Sequence, residues 1–366
     1  MRVVLSGGGT GGHIYPALAV AEALTRDEGQ ESTPELLYIG VRGRMDEPIA
    51  GNAGLPFASV RAGPLRVGSP LGVVRGVAAL FAGTLQAWRL LGRFRPDAVF
   101  ATGGYASVPV GLAARARRTP LVVYLPDVRP GWAVRLLSKL ATRIGTSTDA
   151  SERELPPGKT HVVGYPVRDA FWRAERDAAR RGLGLPLDAK VLLVTGASQG
   201  ARRINDAVAA QLDGLLEHCH VLHLTGRAEE DRMKARREAL PERLRERYHV
   251  AGYLDDMPAA MAAADLAVMR AGASVLGELP AAGLAAVLVP GVYEGWDQMP
   301  NARYLEQHGA AVVLENDRLD RLAEVVRDLL VDDARRRELG EAVRRLARPN
   351  AARDLARMLR EAAKAA

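Results

Sequence analysis

The sequence predicts an α/β protein made of two doubly wound parallel-sheet domains. Three observations lead to this fold class: short apolar runs alternate with helical patterns, one succession of strand, glycine turn and helix occurs twice, and its two copies lie about half the chain apart. The length of 366 residues fits two domains at roughly 150 residues each. Because such sheets bind ligands at the carboxyl ends of their strands, we expect the two domains to face each other across a cleft.

The strands are predicted from short, continuous apolar runs bounded by turn residues. A strand of a parallel sheet is covered on both faces, so an unbroken apolar run is typical of it, rather than alternation with polar residues. Nine runs fit this description: 2–6, 36–39, 98–101, 121–125, 191–195, 220–224, 266–269, 286–289 and 311–314.

The domain boundary is expected near Gly164-Tyr165-Pro166, since proline restricts the residue before it and 154–159 is composed like a loop. The predicted Rossmann-like domains are therefore 1–164 and 165–348. The remaining segment, 349–366, has the apolar spacing of a helix. We expect this helix to pack back on the N-terminal domain.

Charge is distributed unevenly along the chain. The net charge is +7, and residues 1–165 hold 19 basic and 12 acidic side chains whereas 166–366 hold 31 of each. Within 48–126, nine arginines stand against one acid, Asp97. This excess indicates an anionic partner for the first half of the chain.

Compartment is indicated by cysteine content and by the lack of long apolar segments. A single cysteine, Cys219, excludes an intramolecular disulfide, which is typical of a reducing compartment. The first residues run directly into a strand, so no signal peptide is expected, and the uncharged run 76–88 is shorter than the ~20 residues of a membrane span. We expect a cytoplasmic protein.

The first glycine turn, Gly7 to Gly12, satisfies G-x-G-x-x-G, which suggests a nicotinamide dinucleotide site. Such a site needs an acid at the end of the second strand to bind the ribose, and here the first acid after that strand is Asp46. The sequence therefore argues against a dinucleotide. A turn that needs its glycines for packing alone stays an alternative.

Two further turns are suited to phosphate. The turn 196–201 combines backbone N–H groups, Ser198 and a helix N-terminus, but it lacks the lysine of a nucleotide-hydrolysing P-loop. The turn 270–274 leads to Ser274 as a helix N-cap and to Glu278, which is placed to accept hydrogen bonds from ribose hydroxyls. The plain alternative for Glu278 is an acid favoured by the helix dipole.

Five segments together resemble the bacterial MurG family of N-acetylglucosamine (GlcNAc) transferases, in order and spacing over nearly the whole chain. They are GGGTGGHIYPALAVAEAL (7–24), ATGGYASVP (101–109), GASQGARRIN (196–205), RAGASVLGELPAAGLAAVLVP (270–290) and DQMPNA (297–302). The resemblance implies the GT-B fold, with an N-terminal acceptor domain and a C-terminal UDP-sugar domain. It also implies inverting transfer of GlcNAc from UDP-GlcNAc to the 4-hydroxyl of N-acetylmuramic acid in lipid I, undecaprenyl-pyrophosphoryl-MurNAc-pentapeptide, forming lipid II for peptidoglycan.

The resemblance also implies the residues that contact the substrates, position by position. The matching positions are Thr10, Gly11 and Gly12 in the first turn, Tyr105 for the acceptor, Arg168 for the nucleotide, Ser198 for a phosphate, the backbone of Leu254 for uracil, Ala273, Ser274, Val275, Leu276, Gly277 and Glu278 for phosphate and ribose, and Gln298 for the donor sugar. No metal cofactor is expected.

The sequence departs from the family pattern at two places. Tyr124-Leu125-Pro126-Asp127 stands where the family has His-Glu-Gln-Asn, and Tyr165 replaces the asparagine of Gly-Asn-Pro. Asp127 can accept hydrogen bonds from sugar hydroxyls but lacks the amide donor. A different lipid acceptor such as diacylglycerol therefore stays open, as do a UDP-GlcNAc epimerase and a non-catalytic nucleotide-sugar-binding protein.

The candidate general base is His13, which follows the first glycine turn at a helix start and whose side-chain type titrates near neutral pH. Its alternative role is to position a hydroxyl or a phosphate, and Asp127 is a second candidate base. The departing diphosphate would be stabilised by the helix N-termini after the turns at 196–198 and 272–274.

Apolar residues recur at helical spacing through 71–93 and are flanked by arginines. One interpretation is an amphipathic core helix, and the other is a helix on a membrane surface. A polyprenyl acceptor favours the second, so we expect 64–95 to contact an anionic membrane and the protein to be peripheral on the inner face of the cell membrane. Nucleic acid is not expected, because the arginines have no interleaved aromatic residues.

Overall fold

The computed structural model describes residues 1–8, 11–26, 33–63, 70–197, 199–293 and 296–365, without the side chains of 70–75, 293 and 296. The chain forms two compact units. Unit 1 comprises Met1–Arg168 together with Arg348–Ala366, and unit 2 comprises Asp169–Ala347. The first unit thus extends four residues beyond the predicted boundary at Gly164, to Arg168.

Unit 1 is a seven-stranded parallel sheet with the order β3-β2-β1-β4-β5-β6-β7. Its elements in chain order are β1 (Arg2–Ser6), α1 (Gly11–Thr25), β2 (Glu35–Gly40), α2 (Asp46–Asn52), β3 (Phe57–Ser59), α3 (Pro70–Phe94), β4 (Ala98–Ala101), α4 (Ser107–Ala116), β5 (Leu121–Leu125), α5 (Trp132–Leu140), β6 (Arg143–Thr146), a 3-10 helix (Asp149–Glu154), β7 (Thr160–Val162) and, at the end of the chain, α16 (Ala351–Lys364).

The strand order of unit 1 reverses between β1 and β4. The chain leaves β1 towards β2 on one side and later returns to β4 on the other, so the turns after β1 and β4 lie side by side at this switch point. Ligands of doubly wound sheets bind at such a point, outside the carboxyl ends of the strands. The first glycine turn lies there, together with Gly103 and Gly104 of segment 101–109, which form the second glycine turn of unit 1.

Helix α16 completes unit 1 although it follows unit 2 in the chain. Its apolar residues, among them Leu355, Ala356 and Leu359, are buried in one cluster with Val3 and Ile14. The helix packs on α1, β4, β5 and β6. Residues 349–366 therefore supply part of the core of the N-terminal unit.

Unit 2 is a six-stranded parallel sheet with the order β10-β9-β8-β11-β12-β15, and a separate hairpin joins β13 to β14. Its elements are α6 (Ala170–Arg173), α7 (Arg176–Gly182), β8 (Val191–Thr195), α8 (Arg202–His218), β9 (His220–Leu224), a 3-10 helix (Arg227–Glu229), α9 (Glu230–Glu238), α10 (Glu242–Arg245), β10 (Tyr248–Ala251), α11 (Met257–Ala263), β11 (Leu266–Met269), α12 (Val275–Ala282), β12 (Ala286–Leu288), β13 (Val292–Tyr293), β14 (Trp296–Asp297), α13 (Met299–Gln307), β15 (Val312–Val313), a 3-10 helix (Asn316–Arg321), α14 (Leu322–Val331) and α15 (Asp333–Arg345).

The switch point of unit 2 lies between β8 and β11, since the chain passes from β8 to β9 on one side and later to β11 on the other. The turns 196–201 and 270–274 follow these two strands. The fold therefore brings each pair of predicted phosphate or substrate turns together within its own unit.

Among the described residues, no helix combines the length and the hydropathy needed to cross a bilayer. The longest helix of unit 1, α3, buries one face through Gly83, Ala87 and Leu91. Its other face presents apolar side chains to the exterior.

Candidate active site

The first and second glycine turns of unit 1 are packed against each other. Gly104 has a positive φ of 76°, and a Cβ at this position would lie 2.1 Å from the carbonyl oxygen of Gly8. Any side chain here would be strained and would push the turns apart. The glycines of these turns therefore have a packing role, and the close contact also fixes the geometry of the switch point.

His13 lies in the first turn of α1 and is held by the segment that follows β4. Its Nδ1 lies 2.7 Å from the carbonyl oxygen of Thr102, and the Thr102 hydroxyl donates to the carbonyl oxygen of His13 at 2.6 Å. A carbonyl oxygen only accepts, so a hydrogen bond here requires the proton on Nδ1. In the neutral ring, Nε2 then carries the lone pair that can take up a proton.

The other predicted residues of unit 1 lie around this switch point. Gly11 and Gly12 are the first residues of α1, whereas Thr10 is outside the described residues. Tyr105 is half-buried in the second turn, immediately before α4. The guanidinium of Arg168 lies over the ring of Tyr15, 5.3 Å from its centroid, which places Arg168 beside α1.

The two departures from the family pattern have different surroundings. Tyr124 is fully buried inside β5, and its hydroxyl contacts Ser147 and donates to the carbonyl oxygen of Gly164. Tyr124 is thus a core residue. Asp127 follows the strand and is half-buried. Tyr165 lies against the first turn, with its hydroxyl 3.4 Å from the carbonyl oxygen of Gly12.

The nearest acid after β2 is buried. Asp46 is 1% exposed, and its Oδ2 accepts the N–H of Val41 at 2.6 Å. Burial raises the pKa of this carboxyl above its usual range. A side chain so placed cannot reach a ribose, which agrees with the interpretation that the first turn does not bind a dinucleotide.

A shallow pocket adjoins Tyr105. Its lining includes Ala62, Leu80, Pro109 and Trp132. Apolar side chains of α3 continue outward from it, and four of them are exposed: Val77, Phe81, Leu85 and Trp88. Phe81 is 74% exposed and Trp132 is 46% exposed. Contiguous apolar side chains at a surface are typical of interaction sites.

In unit 2, the predicted nucleotide residues follow β8 and β10. Ser198 is outside the described residues, but the turn around it leads into α8, which begins at Arg202. Leu254 lies in the loop between β10 and α11 and is half-buried. Strands β8 and β10 run parallel on either side of β9, so the segments that follow their carboxyl ends lie at the same end of the sheet.

The predicted phosphate and ribose segment forms the start of α12. Ser274 occupies the N-cap position, but its φ and ψ are helical and its side chain makes no capping hydrogen bond, so the expected cap is wrong. Four neighbours are buried and can offer a ligand only their backbone: Ala273, Val275, Leu276 and Gly277. Ser274 and Glu278 are half-buried and keep exposed surface.

Gln298 is locked in place at the start of α13. It is 3% exposed, its Oε1 accepts the N–H of Gly291 at 2.8 Å, and its backbone N–H donates to the carbonyl oxygen of Gly291 at 3.0 Å. A Cβ on Gly272 would lie 3.4 Å from its Nε2. The amide NH₂ group is therefore the part of the side chain that can serve a ligand, as a donor.

Two buried residues of the site were not singled out from the sequence. Arg270 donates to the carbonyl oxygen of Val289 and to Asn316, and Asn301 donates to the carbonyl oxygen of Ala271. They connect the loop before α12 to the segments after β12, β14 and β15. Arg270 and Asn301 lie within the segments 270–290 and 297–302 that resemble the MurG family, and nothing else in the sequence indicates their role.

Two helix N-termini lie at the switch point of unit 2. Helices α8 and α12 both begin there, and helix N-termini carry partial positive charge. Within the described ranges, no three His, Cys, Asp or Glu side chains come together as candidate metal ligands.

Comparison with known proteins agrees with this arrangement. The N-terminal domain model of glycosyltransferase family 28 matches residues 3–146, and the C-terminal domain model matches 191–355. A UDP-N-acetylglucosamine–N-acetylmuramyl-(pentapeptide) pyrophosphoryl-undecaprenol N-acetylglucosamine transferase of Roseiflexus sp. is 41% identical, covering 98% of this chain and 94% of that protein.

Solved structures show the same fold. MurG of Acinetobacter baumannii matches with a TM-score of 0.70 and 24% identity, over 98% of this chain and 99% of that one. UDP-GlcNAc 2-epimerase of Neisseria meningitidis bound to UDP-GlcNAc matches with a TM-score of 0.69 and 15% identity, over 99% and 100%. At these identities the likeness concerns the fold alone.

Two parallel-sheet units, each with paired turns at its switch point, together with these matches define a glycosyltransferase of the GT-B fold. The chain belongs to glycosyltransferase family 28, in its MurG family.

Proposed function

We propose that the protein transfers GlcNAc from UDP-GlcNAc to the 4-hydroxyl of N-acetylmuramic acid in undecaprenyl-pyrophosphoryl-MurNAc-pentapeptide, with inversion. Relatives matched over nearly their whole length are named as transferases of GlcNAc to this acceptor, one of them at 41% identity. The observation that carries the proposal is the state of His13, whose Nδ1 is paired with the Thr102 carbonyl oxygen. This pairing leaves Nε2 as the basic atom at the switch point of unit 1.

In the proposed reaction, Nε2 of His13 accepts the proton of the acceptor hydroxyl. The acceptor oxygen forms a bond to the anomeric carbon, and the bond between that carbon and the diphosphate oxygen breaks, so UDP leaves with the electron pair. The resulting imidazolium keeps its Nδ1–H bond to the Thr102 carbonyl oxygen. Asp127 is the alternative base, half-buried after β5.

Donor binding is assigned to unit 2. The N-termini of α8 and α12 would stabilise the diphosphate, with Ser198 and Ser274 as hydroxyl donors. Glu278 would accept hydrogen bonds from the ribose, and the amide of Gln298 would donate to the sugar. Because backbone and neutral donors supply these contacts, we propose that the diphosphate needs no metal ion.

Acceptor binding is assigned to unit 1. Gly11, Gly12 and Tyr105 lie at its switch point, and Tyr105 lines the pocket that leads to the apolar face of α3. Arg89 and Arg93 are exposed on the same helix. An exposed apolar stripe flanked by arginines fits the headgroup region of an anionic bilayer, so we propose a peripheral position on the inner face of the cell membrane.

The function is tested by incubating labelled UDP-GlcNAc with the protein and lipid I, diacylglycerol or no acceptor. We expect label to be transferred only when lipid I is the acceptor, with lipid II as the product. Label in diacylglycerol would identify another acceptor, conversion of the free UDP-sugar would identify an epimerase, and unchanged donor in all three would indicate a binding protein. Transfer should persist in excess EDTA; its loss, restored by added Mg²⁺, would contradict the metal-free donor site.

A further inference from the structure

A chain of hydrogen bonds lies inside unit 2, behind the predicted diphosphate turn. His223 of β9 contacts the hydroxyl of Tyr248 through Nδ1 at 2.7 Å and Oδ1 of Asn205 through Nε2 at 3.1 Å. Asn205 in turn donates from Nδ2 to the carbonyl oxygen of Thr225 at 2.8 Å. All four residues are completely buried.

Every donor in this chain is determined by its neighbour. The Thr225 carbonyl only accepts, so Nδ2 of Asn205 faces it and Oδ1 faces His223. His223 must therefore donate from Nε2, and its Nδ1 accepts the proton of the Tyr248 hydroxyl. Burial lowers the pKa of His223 to about 3, so the ring is neutral at physiological pH and this arrangement is its stable state.

At one end, the hydrogen-bond chain reaches the backbone of Thr225, which packs against the turn 196–201. A Cβ on Gly200, whose φ is +73°, would lie 2.2 Å from the Thr225 carbonyl oxygen, the same atom that Asn205 binds. Asn205 itself is in the first turn of α8, where its N–H donates to the carbonyl oxygen of Ala201. One amide therefore fixes the start of α8 and the loop against which Gly200 rests.

The loop that contains Thr225 is also hydrogen-bonded to β10, the strand that precedes Leu254. The N–H of Thr225 donates to the carbonyl oxygen of Ala251, the last residue of β10, at 3.0 Å. Tyr248, at the start of β10, is the other end of the hydrogen-bond chain. The chain thus connects the turn before α8 with the segment proposed to contact uracil.

We propose that Tyr248, His223 and Asn205 are positioning residues for donor binding, and that they set the place of the N-terminus of α8, and so of the diphosphate, relative to the uracil-contacting loop. This rests on the proposed function, because it takes the turn 196–201 as the diphosphate site. None of the three touches the donor; each acts through the backbone of Thr225 and Gly200.

The test compares the affinity of the full-length protein for UDP and for uridine, measured by calorimetry. Asn205→Leu removes both side-chain hydrogen bonds of Asn205 and should weaken UDP about tenfold, with a much smaller effect on uridine. Tyr248→Phe removes one hydroxyl and retains the ring, so it should fold even if the leucine variant does not. We expect it to produce the same selective loss, at about threefold.

Val221→Ala is the matched control, since Val221 is buried on the same strand, two residues before His223, and has no part in the chain. This variant should lose stability and keep both affinities. Unchanged UDP affinity in folded Tyr248→Phe, or equal losses for UDP and uridine, would overturn the positioning role. Wild-type protein that binds neither ligand would overturn the proposed donor site itself, and the positioning role with it.

Discussion

The role proposed for His13 depends on a contact that its motif does not contain. The motif places a histidine after a glycine turn, but the Thr102 carbonyl oxygen determines which ring nitrogen is basic. A histidine that only positioned a hydroxyl would need a hydrogen-bonding group at this place, not a proton acceptor. The two roles can therefore be separated by a side chain that keeps the bond to Thr102 and lacks basicity.

His13→Asn is such a change, because the asparagine amide can still donate to the Thr102 carbonyl oxygen. We expect kcat to fall by roughly 100-fold or more, as for loss of a general base. The dissociation constant for UDP-GlcNAc should stay the same. Single-turnover transfer to lipid I and equilibrium donor binding measure the two quantities separately.

His161→Asn is the control, since His161 is exposed on β7 of the same unit. Near wild-type turnover in His13→Asn would show that the residue only positions a group. Loss of donor binding with unchanged turnover per bound donor would also contradict the base.

Gln298 offers a second single-residue prediction. Glu at this position can still accept the N–H of Gly291 but cannot donate to the sugar. Gln298→Glu should therefore raise the KM for UDP-GlcNAc about tenfold or more while the protein stays folded. Gln307→Glu, an exposed position at the end of the same helix, makes the same charge change and should leave KM unchanged. Equal KM values for the two variants would contradict the proposed contact.

For single residues, the sequence indicates which ones to consider for the site better than it indicates how they are buried and hydrogen-bonded. It singles out Ser274 and places it at the helix start, yet the hydroxyl does not cap the helix. It identifies Tyr124 as a departure from the family, but not that the ring is in the core. Burial and hydrogen bonding depend on segments distant in the chain, which is why Arg270 and Asn301 were also missed.

Among the elements, α3 has both faces apolar, and this distinguishes it from an ordinary surface helix. Ala87 and Leu91 are buried in unit 1, while Phe81 and Trp88 are exposed. The core-helix interpretation from sequence describes the buried face, and the membrane-surface interpretation stays a prediction for the exposed face. The guanidinium of Arg117 lies over the ring of Trp88, 4.0 Å from its centroid, and adds positive charge beside the exposed apolar side chains of α3.

Phe81→Ser should reduce membrane binding without reducing stability, because the side chain is 74% exposed and buries little on folding. We expect wild-type protein to co-sediment with anionic liposomes at low salt and less so as salt rises. The variant should bind several-fold more weakly. Leu91→Ser, on the buried face, should instead lower the melting temperature. Absence of wild-type binding at low salt would refute the membrane contact.

The sequence predicts all inner strands but one and a single edge strand, β15, from the run 311–314. Predicted strands 2–6, 98–101, 121–125, 191–195, 220–224 and 266–269 agree with the structure. Three missed strands, β3, β7 and β10, lie at sheet edges, where one side has no neighbour and the apolar run is short or interrupted. The inner strand β6 was missed because Arg143 and Gly145 break its apolar pattern.

For the whole molecule, the division into two units predicts that core substitutions act locally. Leu355→Ala on α16 should destabilise unit 1 by roughly 2–5 kcal/mol, since Leu355 is fully buried. Leu339→Ala, equally buried in α15 of unit 2, is the matched control. Hydrogen exchange read by peptide should rise around β1 and β5 in the first variant and around β8 in the second. Equal changes in both units would contradict the division.

The contribution of α16 to unit 1 also has a consequence for synthesis on the ribosome. Residues 169–347 leave the ribosome before 351–364. Every strand of unit 2 can therefore pair while the core of unit 1 still lacks Leu355 and Leu359. Domains generally fold as units as they emerge. We therefore expect unit 2 to complete its core first, and the N-terminal unit, although made earlier, to wait for a helix translated after it.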